Sequence, residues 1–156
     1  MQNVVDELSQ IVEAYSAKIG RLPEAEFSGK PQPHQWSKKE VPGHLIDSAQ
    51  NNIRRFICGQ YEQTPPKIVY DQDFWVKDNG YQKMDKEEVI KLWRLINQRI
   101  VGVLSHMPKE NYGRFSDTGK NQIDLRSLEW LAEDYVKHMK HHLNQIVPGS
   151  FDIVYK

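Results

Sequence analysis

Apolar residues recur every three or four positions in four stretches of the chain, and turn-forming residues separate them. In the first stretch Val4, Leu8, Ile11, Val12, Tyr15 and Ile19 share one helical face, and Gly20 is a natural stop. A second helix is announced by Ser37-Lys38-Lys39-Glu40, a capping-box sequence in which the serine oxygen and the glutamate carboxylate each take one orphan backbone N–H. Trp36 stands where a hydrophobic staple onto Val41 would sit, and Val41, Leu45, Ala49 and Phe56 continue the stripe. Pro42 falls just past the first turn on this reading and predicts a local bend. The third stripe opens at Asp85 with Glu88 three residues on. It runs through Val89, Leu92, Trp93, Ile96, Ile100, Val103, Leu104 and Met107 to Pro108. The fourth opens near Asp124, carries Leu128, Leu131, Tyr135, Met139 and Ile146, and closes at Pro148-Gly149.

Four helices of roughly 17–24 residues with one long crossover describe an all-α four-helix bundle. The length of 156 residues fits a single domain, 1–156, with one core. The crossover, residues 60–83, holds Pro65, Pro66 and Gly80 and five aromatics: Tyr61, Tyr70, Phe74, Trp75 and Tyr81. A connection of this length is either functional or a plug for one end of the bundle. Strands are not expected, apart from a short extended piece around Ile68 to Tyr70.

Composition narrows the function. The chain has 21 basic and 21 acidic residues, so it lacks the basic footprint of a nucleic-acid binder or of a protein drawn to an anionic membrane. No run approaches the roughly 20 apolar residues that span a bilayer. Asp6, Glu7 and Glu13 interrupt the N-terminal apolar residues, which is unlike a signal peptide. Cys58 is the only cysteine, so no internal disulfide forms, and a cytoplasmic location is expected. Cys58 reads as a small apolar residue, since no histidine or basic residue beside it favours a thiolate.

The chemistry lies in the histidines. His138 and His142 are four residues apart, one helical turn, so both rings can reach one cation; His141 is rotated roughly 60° further, toward the polar side. His142 is expected near the centre of the apolar stripe. His44, at the margin of the second stripe, is a third ring able to point inward. Such a pair on one helix is often only structural, and no glutamate follows His138 as it does in zinc proteases. Spacing alone therefore leaves a metal site and a hydrogen-bonded histidine cluster both open. Asp47 and Asp134 are candidate acceptors for the second N–H of ligating histidines, and Gln145 either lines the site or faces solvent. His34 and His106 read as structural.

The segment Trp36-Ser37-Lys38-Lys39-Glu40-Val41-Pro42-Gly43-His44-Leu45-Ile46-Asp47, followed by His138-Met139-Lys140-His141-His142-Leu143-Asn144-Gln145, resembles the DinB-like superfamily in order and separation. That resemblance implies an up-down-down-up four-helix bundle, commonly a homodimer. It implies a divalent metal, nickel or zinc, held by His44, His138 and His142. It further implies an enzyme, either a transferase or a hydrolase, that uses the metal to activate a low-molecular-weight thiol. The alternative is a non-catalytic metal-binding or structural bundle.

Overall fold

The structure, a computed structural model, describes residues 1–155. Each long apolar stripe is a helix. α1 (Gln2–Gly20) buries Val5, Leu8, Ile11, Val12, Tyr15 and Ile19, the face that the three-four spacing selects. The stretch after it is not all loop: α2 (Glu24–Ser28) forms around Phe27, which is fully buried.

α3 (Glu40–Tyr61) starts from the expected box. Ser37 N–H donates to Glu40 Oε2 at 2.9 Å, and Glu40 N–H donates to Ser37 Oγ at 3.2 Å. Pro42 is the third residue of this helix, inside the first turn. An N–H there has no intrahelical acceptor, so proline removes no helical hydrogen bond, and α3 continues through it without interruption.

The long crossover contains α4 (Gln72–Asn79). Asp71 caps it by accepting from the backbone N–H groups of Asp73 and Phe74, at 3.1 and 3.0 Å. Gly80 ends it in the left-handed region at φ 67°, a conformation that only glycine adopts without strain. Of the crossover aromatics Tyr81 enters the core, whereas Tyr61 and Phe74 face solvent. α5 (Lys86–His106) begins after Asp85 as expected, although the Asp85 side chain makes no cap bond.

Two strands that the sequence reading did not expect precede the last helix. β1 (Phe115–Asp117) and β2 (Leu125–Ser127) pair antiparallel, with Ser116 opposite Arg126. Asp117 Oδ1 closes the hairpin by accepting from Gly119 and Asp124 N–H, both at 2.9 Å. The hairpin moves the start of α6 (Leu128–Ile146) from the expected Asp124 to Ser127, whose Oγ accepts from Trp130 N–H.

Helix directions follow from which ends meet. Lys86 Nζ donates to Leu22 O, so α1 ends where α5 begins. Lys39 Nζ donates to Met84 O, so α3 and α5 begin together and run parallel. Gly59, late in α3, packs on Leu128, the first residue of α6. The Met1 amino group lies 3.9 Å from Glu129, so α1 and α6 start side by side. The bundle is therefore up-down-down-up, and the crossover with α4 returns the chain along α3 to the start of α5. Its core is one continuous cluster that includes Leu8, Phe56, Trp93, Ile100, Met139 and Leu143. Burying each such side chain is worth roughly 1.5–3 kcal/mol. Among the described residues no helix is long and apolar enough to cross a membrane.

Candidate metal centre

α3 and α6 face each other in opposite directions, which brings the N-terminal turns of α3 to the C-terminal half of α6. His44 lies in the second turn of α3 and is buried; His138 and His142 project from successive turns of α6 and are half-buried. One ring nitrogen from each of the three lies within 4.8 Å of the other two. The ring centroids are 4.5 to 5.1 Å apart, and the rings meet edge to face. His142 is not at the centre of its stripe, which is held by Tyr135, Met139, Leu143 and Ile146. It flanks that stripe on the side facing α3. His141 is outside the cluster, with its ring centroid 5.6 Å from that of Tyr155.

The donor set fits a divalent cation. His44 Nε2 and His138 Nε2 are 3.2 Å apart, against roughly 3.3 Å for two nitrogens bound tetrahedrally to one zinc at about 2.0–2.1 Å. His142 Nδ1–H donates to Gln145 Oε1 at 2.9 Å, which leaves Nε2 with its lone pair free. Burial pushes all three rings toward the neutral form that metals bind. For His44 burial, aided by the charge of His142, lowers the pKa to about 3. Burial likewise lowers His138, with His142 and His44 next in effect, and His142, against the opposing pull of Gln145. Among the described residues no fourth histidine, cysteine or acid joins the cluster, so a bound ion would keep at least one open position.

The surrounding contacts differ from expectation. Asp47 does not meet His44. Its Oδ1 accepts from Tyr81 O–H at 2.6 Å and Asn79 Nδ2 at 2.9 Å, while its Oδ2 and His44 Nδ1 are both buried without a partner. Burial raises Asp47 to a pKa of about 6 in spite of the Tyr81 bond. Asp134 accepts from Tyr155 O–H at 3.1 Å and makes no bond to His138. Trp36 covers the cluster, its ring centroid 5.0 Å from that of His44. His34 is exposed beside the site, and His106 Nδ1 lies 2.7 Å from Gly102 O at the end of α5. Cys58 is half-buried near the far end of α3.

Two cavities flank the histidines. A polar one of about 210 Å³ is lined by His138, Arg55, Tyr70, Asp134 and Tyr155. A larger one of about 590 Å³ is lined by His142, Gln145, Trp36 and His34. Gln72, at the start of α4, borders both. Sequence reasoning missed Arg55 and Tyr155. Arg55 is eleven residues after His44, three helical turns with about 20° of offset, so helix periodicity could have found it. Tyr155 comes from the segment after α6 and carries no periodic signal.

Comparison with known proteins agrees with this geometry. The sequence profile of the DinB superfamily matches residues 7–146. "Putative metal-dependent hydrolase YfiT" of Bacillus subtilis (strain 168) is 25% identical over 151 residues, covering 93% of this chain and 83% of the relative. "Putative metal-dependent hydrolase OB0413" of Oceanobacillus iheyensis is 24% identical over 149 residues, covering 90% and 85%. The solved structure of YfiT from Bacillus subtilis, described as a probable metal-dependent hydrolase with an unusual four-helix bundle topology, superposes with a TM-score of 0.77 at 22% identity. It covers 92% of this chain and 83% of that one.

Proposed function

This chain belongs to the DinB superfamily, and from that premise we propose that it is a divalent-metal-dependent hydrolase whose ion is held by His44, His138 and His142. The observation that carries this reading is the convergence of three imidazoles with no fourth protein ligand among the described residues. When bound there, a divalent cation supplies Lewis acidity, bringing the ionisation of a water or thiol at the open position toward neutral pH. The chain does the rest. Gln145 holds the His142 ring through Nδ1, and Trp36 shields the His44 ring from solvent on one side. Tyr155 packs its ring edge to face with His138 in the same cavity, where its hydroxyl can donate a hydrogen bond to a substrate oxygen at the cost of its bond to Asp134.

A second reading, transfer to or from a low-molecular-weight thiol, is favoured by the paired cavities: one is lined by His138 and the other by His142, room for two reactants. The experiment is a panel of ester and amide substrates assayed with nickel- or zinc-loaded protein, with and without a small thiol. Hydrolysis that needs the metal and not the thiol supports the first reading. Turnover only with thiol, yielding an S-conjugate, supports the second. No turnover in either, by protein shown to hold its metal, favours the non-catalytic bundle.

A further inference from the structure

We propose that the cavity beside His138 is a carboxylate-binding subsite, in which the terminal edge of the Arg55 guanidinium holds an anionic end of the substrate. The substrate is then a small molecule that carries a carboxylate and presents its reacting bond toward the histidines. That statement about the substrate rests on the proposed function; the anion site itself does not.

Part of the cavity wall comes from α3. His44, Ser48, Asn52 and Arg55 follow one another at four, four and three residues, so they lie along one face of the helix. Ser48, Asn52 and Arg55 line one wall of the cavity, and Asp134 and His138 of α6 line another. A polar row in a helix interface, where apolar residues would pack better, needs a reason. Arg55 supplies it. Its Nε and Nη2 donate to Ile68 O at 3.2 and 2.6 Å, and its Nη1 donates to Asn52 Oδ1 at 3.3 Å. These bonds use three of five N–H donors and fix the plane of the group. One N–H is left over on each of Nη1 and Nη2, the two nitrogens whose shared edge can meet both oxygens of a carboxylate. Arg55 is half-buried and in ion-pair contact with no carboxylate among the described residues.

Charge and size agree. Arg55 and Lys120, which is exposed at the rim, face a single carboxylate, Asp134, already engaged by the Tyr155 hydroxyl. One anionic group balances this cavity. A phosphate dianion would want more donors than one guanidinium edge and would be repelled by Asp134. At about 210 Å³ the cavity is smaller than the usual range of roughly 300–1,000 Å³ for ligand pockets, so it selects small ligands.

The test is calorimetric titration of succinate, of its neutral diamide and of inorganic phosphate into chelator-treated protein, repeated on nickel-loaded protein. Wild type, Arg55→Lys and Arg55→Gln are compared, with circular dichroism to check folding. We expect succinate to bind the chelated wild type, and both phosphate and the diamide to bind at least tenfold more weakly. Arg55→Lys, which keeps the charge and loses the fork, should weaken succinate severalfold, and Arg55→Gln tenfold or more. Equal succinate binding by wild type and the variants overturns the proposal, as does a diamide that binds as well as succinate. Phosphate binding as tight as succinate overturns the choice of carboxylate. If Arg55→Gln does not fold, the Arg55→Lys and diamide comparisons still decide. Failure of the metal reading looks different: nickel is not retained, while Arg55-dependent succinate binding persists in chelated protein.

Discussion

His138 and His142 share a helix face, but they are not equivalent to the third histidine of that segment, His141. Replacing His142 with alanine removes a member of the cluster and leaves Gln145 without the ring it orients. Replacing His141 removes a ring that gives no nitrogen to the cluster and only packs on His142 and Tyr155, at centroid distances of 4.9 and 5.6 Å. His142→Ala should therefore lose metal stoichiometry, while His141→Ala keeps it, as read by elemental analysis of both variants after loading. Equal retention would take His142 out of the ligand set, and a greater loss in His141→Ala would put His141 in its place. The i, i+4 pair was legible in the sequence because one helix sets its geometry. The partners of Asp47 were not, because they come from Asn79 and Tyr81, 32 and 34 residues away. Asp47 itself makes a pH-dependent prediction. Its pKa is raised in the fold to about 6 from an ordinary 3.8, so the native state binds the extra proton. Its favourable contribution is complete below about pH 3.8 and is lost as pH rises through about 6. Asp47→Asn cannot ionise, so chemical denaturation should show the variant gaining about 2 kcal/mol relative to wild type between pH 4 and pH 8. A constant difference across that range would contradict the assignment.

Among the elements, the start of α3 is the most constrained. A Cβ on Gly43 would fall within the ring of Tyr81, far inside contact distance, and Tyr81 in turn is bonded to Asp47. Gly43→Ala should cost about 1–3 kcal/mol in urea denaturation and should also weaken metal binding, because His44 is the next residue. Full stability would mean that the crossover is free to move away from α3. The four long helices were legible because their stripes run through five turns or more. α2 and α4 span five and eight residues, and each strand only three. Segments that short show too few repeats for a period to stand out; α2 forms around the buried Phe27, Asp71 caps α4, and Asp117 ties the hairpin to the crossover by backbone bonds with Pro66 and Ile68.

At the scale of the whole molecule, the up-down-down-up order places α3 against α6 and leaves a polar seam between them, with the histidines near one end and Arg55 toward the other. The seam costs stability without a ligand. Without metal, the three histidines are held neutral by burial, so the unfolded state takes up protons below about pH 6.5 that the native state refuses. Their contribution is complete above that pH and is lost as pH falls through the lowered native values, about 3 for His44. The melting temperature of chelated protein should therefore drop on acidification from pH 7 to pH 4.5, since three rings outweigh the opposite trend of Asp47. A melting temperature flat across that range would contradict the burial account. Four helices and three converging histidines could be read from spacing and resemblance. The cavities beside them could not, since residues from α3, the crossover, the hairpin and the tail build them together. The most direct test is titration of nickel or zinc into chelator-stripped protein, followed by calorimetry and thermal melting. The account predicts one ion per chain, a raised melting temperature, and loss of both in His44→Ala and His138→Ala. Binding that survives both substitutions, or no binding by the folded wild type, would contradict it.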